Sequence, residues 1–253
     1  MKFLPLTALA LAMTAQAVHA ADDGGPAVVP YRPSVSTPAQ LSAPGYLELE
    51  AGGLRATDSG DSRTSLPYTL KLAFTADWGI RIGGEAWVRD AFPGGAETGI
   101  GDTAVVLKRR FAVSDATAWG LELGETFPTA KSSIGLGHAA TTINGIFSSD
   151  FAPAWHTDIN LNETHLGGSG QTSQWQLGWA AAVSRTLTDA WGAVGEFSGT
   201  HQPGFDTTQF LAAASWNQSP AAVFDFGFAR ALTDTAPRWQ VFAGVTVRLG
   251  KVF

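Results

Sequence analysis

From Tyr46 onward the chain alternates. One parity reads Leu66, Tyr68, Leu70, Leu72 and Phe74; after a turn at Ala76-Asp77-Trp78 the next run gives Ile80, Ile82, Gly84, Ala86 and Val88. The opposite parity of that second run is Arg81, Gly83, Glu85, Trp87 and Arg89, so one face is apolar and the other carries charge. The same two-faced pattern returns at Trp119, Leu121, Leu123 and Phe127, at Trp175, Leu177, Trp179, Ala181 and Val183, and at Phe224, Phe226 and Phe228. A period of two places successive side chains on opposite faces of a strand, whereas no segment after Gly45 sustains the period of a helix.

The pattern predicts strands near 46–54, 66–75, 79–90, 102–113, 117–128, 140–149, 154–164, 173–184, 191–200, 207–217, 221–231 and 237–249. The expected fold is therefore all-β, with about twelve strands of a length that a tilted strand needs to cross a bilayer. A strand in lipid cannot leave its N–H and C=O groups unpaired, so such strands must close into an antiparallel, up-and-down transmembrane β-barrel. The joins support this reading. Longer ones fall near 55–65, 91–101, 129–139, 165–172, 201–206 and 232–236, alternating with short ones at 76–78, 114–116, 150–153, 185–190 and 218–220. With both termini periplasmic, the long joins face outward and the short ones inward, as in bacterial outer-membrane barrels.

Composition agrees. Charged residues are 15% of the chain, too few for an ordinary water-exposed surface, and mean hydropathy is slightly positive at +0.05. A net charge of −6 without a basic stripe argues against nucleic acid as a partner. Cysteine is absent, which removes disulfides, thiolate nucleophiles and cysteine-ligated metal. No cofactor or metal motif is present; Gly99-Ile100-Gly101-Asp102 precedes no helix and is not a phosphate loop.

Residues 1–20 read as a cleavable signal peptide: Lys2, an apolar stretch from Phe3 to Val18, and a small-residue site at Val18-His19-Ala20. Residues 21–45 carry Pro26, Pro30, Pro33, Pro38 and Pro44 without an apolar period. This composition favours a flexible lead-in hanging in the periplasm over a plug folded into the lumen. The barrel then occupies 46–253.

The inward parity holds Glu48, Glu50, Lys71, Arg81, Glu85, Arg89, Lys108, Arg110, Glu122, Asp158, Glu196, Asp225 and Arg248. Two readings are open: a mixed-charge constriction that screens solutes, or a lumen closed by ion pairs between neighbouring strands. Trp78, Trp119, Trp155, Trp175, Trp191 and Trp239 fall near strand ends, as an interfacial aromatic girdle would. Catalysis is not expected. His138, His165 and His201 sit in predicted loops, and His156 with Asp158 reads as a hydrogen-bonded pair in the lumen.

The last strand has Val241, Ala243, Val245, Val247 and Leu249 on its lipid side, with Thr246 and Arg248 opposite. Gly250 and Lys251 interrupt the alternation, so the barrel is expected to end at Leu249 with a short tail. Several stretches resemble the outer-membrane proteins named for a MetA pathway of phenol degradation. They are Arg32-Pro33, GYLELEAG from Gly45, YTLKLAFTADWGIRIGGEAW, GIGDTAVVLKRRF, LELGETFPTAKSSIGLG and FDFGFARALTDTAPRWQVFAGVTVRL. The resemblance implies a small Gram-negative outer-membrane barrel associated with uptake of small organic, often aromatic, compounds, with membrane lipid and the barrel-assembly machinery as partners. Phe253 resembles the C-terminal aromatic that this machinery recognises. Oligomeric state is not legible.

Overall fold

The computed structural model describes residues 24–168 and 174–253; the predicted signal peptide lies outside them. Thirteen strands form one antiparallel sheet. They are β1 (Tyr46–Thr57), β2 (Ser62–Ala73), β3 (Trp78–Phe92), β4 (Gly95–Gly99), β5 (Thr103–Ala112), β6 (Thr117–Phe127), β7 (Ala140–Ala152), β8 (Trp155–Leu166), β9 (Trp175–Thr186), β10 (Trp191–Gln202), β11 (Phe205–Ser219), β12 (Ala222–Ala231) and β13 (Trp239–Lys251). Each strand pairs with its neighbours in sequence except that β4 and β5 both pair with β3 and not with each other, and β1 pairs with β13 from Tyr46↔Lys251 to Thr57↔Trp239. That pairing closes the sheet into a barrel.

The wall has twelve strand positions because β4 and β5 share one. β3 pairs with β5 over Trp78 to Gly83 and with β4 over Val88 to Phe92. The amide of Gly101 bridges the break by donating to the Glu85 carbonyl at 2.9 Å. β4 falls in a stretch expected to be loop. The expected loops at 55–65 and 201–206 contract as well, because the flanking strands run on; β10 and β11 are joined through Pro203 and Gly204 alone, with Gly204 at φ +82°. The last strand also runs past its expected end. Leu249 is bulged out between the pairs Glu48↔Arg248 and Leu47↔Gly250, which lets pairing continue to Lys251.

Alternation is realised as two faces of the wall. Along β6, Trp119, Leu121 and Leu123 are exposed outward while Ala118, Gly120, Glu122 and Gly124 are buried inward. The six tryptophans expected at strand ends all lie exposed on the outer surface. Three carry a stacked guanidinium: Arg109 over Trp78, Arg185 over Trp155 and Arg230 over Trp239, at 4.8, 5.0 and 4.6 Å.

The alternation slips once, with consequence. Ser65 pairs with Val88 and Pro67 with Glu85, so Ala86 and Trp87 together oppose Leu66. This β-bulge reverses the parity of the rest of β3. Val88 is fully buried and Asp90 turns inward to Arg63, while Arg89 is exposed on the outer wall. Arg89 is therefore not a lumen residue, contrary to the expectation from strict alternation.

Candidate functional site

Residues 24–45 do not hang free of the barrel. They enter from the turn side, where the Val28 amide donates to the Pro220 carbonyl at 2.8 Å, and they return there, where Gly45 donates to Ala73. Between these points the segment rises into the lumen and turns at Val35–Thr37. The physical reason lies in the wall. A narrow barrel buries the inward carboxylates and ammonium groups, and a buried charge needs partners. The segment's backbone supplies them. Its prolines keep it extended and leave fewer N–H groups to satisfy.

Glu48 accepts from the Val29 amide at 3.3 Å and Glu50 from the Tyr31 amide at 2.7 Å. Glu196 accepts from the Val35 amide at 3.0 Å, the Ser36 amide at 2.8 Å and the Ser36 hydroxyl at 2.7 Å. Asn160 both accepts from the Thr37 amide and donates to the Thr37 carbonyl, each at 2.9 Å. The Ser148 hydroxyl accepts from the Ala39 amide at 2.7 Å. Cations take the carbonyls: Lys71 donates to Val29, Lys108 to Pro38 and Arg248 to Pro26.

The inward charges gather into clusters around this segment. Lys71 pairs with Glu50 at 2.6 Å and with Glu48 at 3.0 Å. Glu122 binds Arg81 at 3.0 Å and Lys108 at 3.4 Å, and also accepts from Asn144. Tyr31 joins the two clusters, its ring lying 4.3 Å from both Lys71 Nζ and Lys108 Nζ. Asp225 receives Arg32 in a two-pronged pair, both bonds at 3.0 Å. The paired glycines Gly52 and Gly244 make room for that arginine, since a Cβ on either would fall within 3 Å of its guanidinium. Glu85 binds Arg63. Asp158 accepts from Ser148 and faces His156 Nε2 at 3.1 Å. Ser148 thus points at the carboxylate and not at the imidazole, and the three do not form a nucleophile–base relay. Arg110 shares the inward parity of Lys108, nearer the turns.

Sequence reasoning thus located most of the charged wall residues and missed their partners. Tyr31, Arg32, Ser36 and Thr37 sit in a segment without period. Asn144, Asn160 and Arg63 were legible only as inward parity without charge or, for Arg63, as a predicted loop residue.

The segment's tip separates two chambers. One, of about 430 Å³ on the loop side, has Val35 and Thr37 as its floor and Asn144, Asn162, Thr142 and Thr200 among its walls. The other, of about 920 Å³, opens on the turn side and touches Ser34, Ser36 and Pro38. Alternate residues of the tip therefore face opposite chambers.

The fold is that of outer-membrane β-barrels. An outer membrane channel from Pseudomonas putida F1 superposes with a TM-score of 0.67 at 13% identity, covering 83% of this chain and 98% of that one. The KdgM porin, solved in complex with disordered oligogalacturonate, gives 0.59 at 6% identity over 80% and 99%. The CymD monoaromatic hydrocarbon channel gives 0.51 at 10% identity over 83% and 89%. No family model matches the chain and no curated protein matches it in sequence, so the likeness to the MetA-pathway proteins rests on the quoted stretches.

Proposed function

We propose that the protein is a passive outer-membrane channel for small organic solutes of a Gram-negative cell, with phenol-type aromatic compounds the class to which the family likeness points. The observation that carries this is the closed barrel with an apolar outer wall and a polar lumen that opens into a chamber on each side of a slender, hydrogen-bonded tip. Such a path needs no energy source: solute enters among the loops, meets the Arg81–Glu122 pair at the floor of the loop-side chamber, and crosses where the tip yields. The channel and porin folds of the superposed structures support the same reading.

A second reading, a closed barrel serving the envelope or binding a partner through its loops, draws on the same tip, which occupies the centre of the lumen. Flux separates the two. Liposomes carrying the refolded protein are loaded with benzoate or with a sugar of similar size, because phenol itself crosses lipid unaided. A deletion of residues 24–41 is measured beside the full chain. Benzoate flux through the full chain, raised by the deletion, is the expected result. Absence of flux from the full chain together with flux from the deletion variant would establish the closed barrel instead.

A further inference from the structure

The β3 bulge does more than remove Arg89 from the lumen. On the outer wall Arg89 pairs across β2 with Thr64, and Thr64 pairs on its other side with Arg55. The three residues form one rung, Arg55–Thr64–Arg89, with both arginines exposed. Neighbouring strands are about 4.8 Å apart, so the two Cα atoms lie about 10 Å apart and both guanidinium groups can reach a common point above the short threonine. Among the described residues neither arginine forms an ion pair or a ring contact, whereas Arg32, Arg63, Arg81, Lys71 and Lys108 are all paired.

Among the described residues no carboxylate shares the rung's outward face on the adjoining strands; Asp58 and Asp61 stand exposed in the turn between β1 and β2, three residues along the chain from Arg55 and Thr64 respectively. Every carboxylate on the adjoining strands β12, β13, β1, β2, β3 and β4 points inward: Asp225, Glu48, Glu50, Glu85, Asp90 and Glu97, the last paired with Asp90 between β3 and β4. Outward-parity carboxylates stand at Asp206 on β11, which faces His201, and across the barrel at Glu125 on β6 and Glu163 on β8. The rung lies near the loop end, two residues from the Thr57↔Trp239 pair, and Arg230 stacked on Trp239 adds a third cation on the same side. An arginine facing lipid costs about 2–4 kcal/mol at mid-bilayer but close to nothing at the interface. Unpaired arginines at that depth are suited to anionic headgroups, which guanidinium binds with two parallel hydrogen bonds.

We propose that the Arg55–Thr64–Arg89 rung is a binding site for a phosphorylated lipid headgroup of the outer leaflet, with the Thr64 hydroxyl as a further donor and Arg230 as a flanking cation. The bulge at Ala86 and Trp87 serves to aim Arg89 at this site. The proposal rests on the barrel lying in an outer membrane with its loops outward, but its test reads lipid retention and not flux, so a barrel that conducts nothing can pass it and a conducting one can fail.

The full chain is refolded into phosphatidylcholine liposomes containing either lipid A with both phosphates or its dephosphorylated form, extracted in detergent, and examined by native mass spectrometry. Wild type is expected to keep the phosphorylated lipid and to lose the other. R55Q and R89Q should each weaken retention by about tenfold, the effect of losing one charged hydrogen-bonding partner. R185Q, on the turn side, should leave it unchanged. Both single variants are read separately, so failure of one to fold leaves the other as the test. Equal retention of the two lipids, wild-type retention by both R55Q and R89Q, or release of the lipid by inorganic phosphate would overturn the assignment.

Discussion

At the scale of single residues, the lumen is organised by side chains that answer to several partners at once. Lys71 illustrates the energetics. It is nearly inaccessible and pairs with Glu48 and Glu50, which are nearly inaccessible too. Removing one partner of a buried pair leaves uncompensated charge and costs about 3–5 kcal/mol, far more than the pair adds over an apolar substitute. K71M is accordingly expected to lower the barrel's thermal midpoint markedly, whereas the triple change K71M/E48Q/E50Q should recover most of the loss. Heat-dependent gel mobility of the refolded barrel reads both, and no recovery in the triple variant would refute the charge argument. Alternation placed these three residues on the inward face. That they meet was not legible, because parity names a face and says nothing of what lies across the lumen.

At the scale of elements, strands and inner segment differ in how their positions are specified. The strands are set by local period and by their neighbours. The tip is set by distant groups: Ser36 is bound by Glu196 and Thr37 by Asn160, separations of 160 and 123 residues. Its hold is therefore only as strong as those bonds. Glu196 supplies three of them with charge, and charged hydrogen bonds are about twice as strong as neutral ones. E196Q should raise amide hydrogen exchange at Ser36 by about tenfold while leaving exchange in β6 and β7 unchanged. A uniform rise over the whole barrel would instead mean that Glu196 supports the wall. The bulge in β3 is a second element that sequence does not disclose. One additional residue changes no local composition, yet it exchanges Arg89 and Asp90 between the two faces.

At the scale of the whole molecule, closure through β1 and β13 is the feature on which the rest depends, since each inward residue faces another only in a closed wall. The chain's last residue stands outside that economy of contacts. Phe253 is 61% exposed, while the neighbouring Val252 amide donates to Gly45 at 2.7 Å. Deleting Phe253 should therefore leave the thermal stability of the refolded barrel unchanged; its resemblance to the C-terminal aromatic that the assembly machinery recognises adds the expectation that the deletion reduces the amount assembled in cells. A drop in the stability of the refolded protein would make it a structural residue.

The sequence by itself determined the all-β class, the placement of twelve long strands and the sidedness of nearly all of them, because a period of two is local and a lipid-facing wall makes it strict. It also marked most of the charged residues of the lumen. Only the tertiary structure decided that residues 24–45 enter the barrel, that their backbone completes the wall's buried charges, that Gly95–Gly99 extends the wall, and that Arg89 joins Arg55 outside. Each depends on partners far away in the chain or on a one-residue slip in register, and neither leaves a periodic trace in the order of residues.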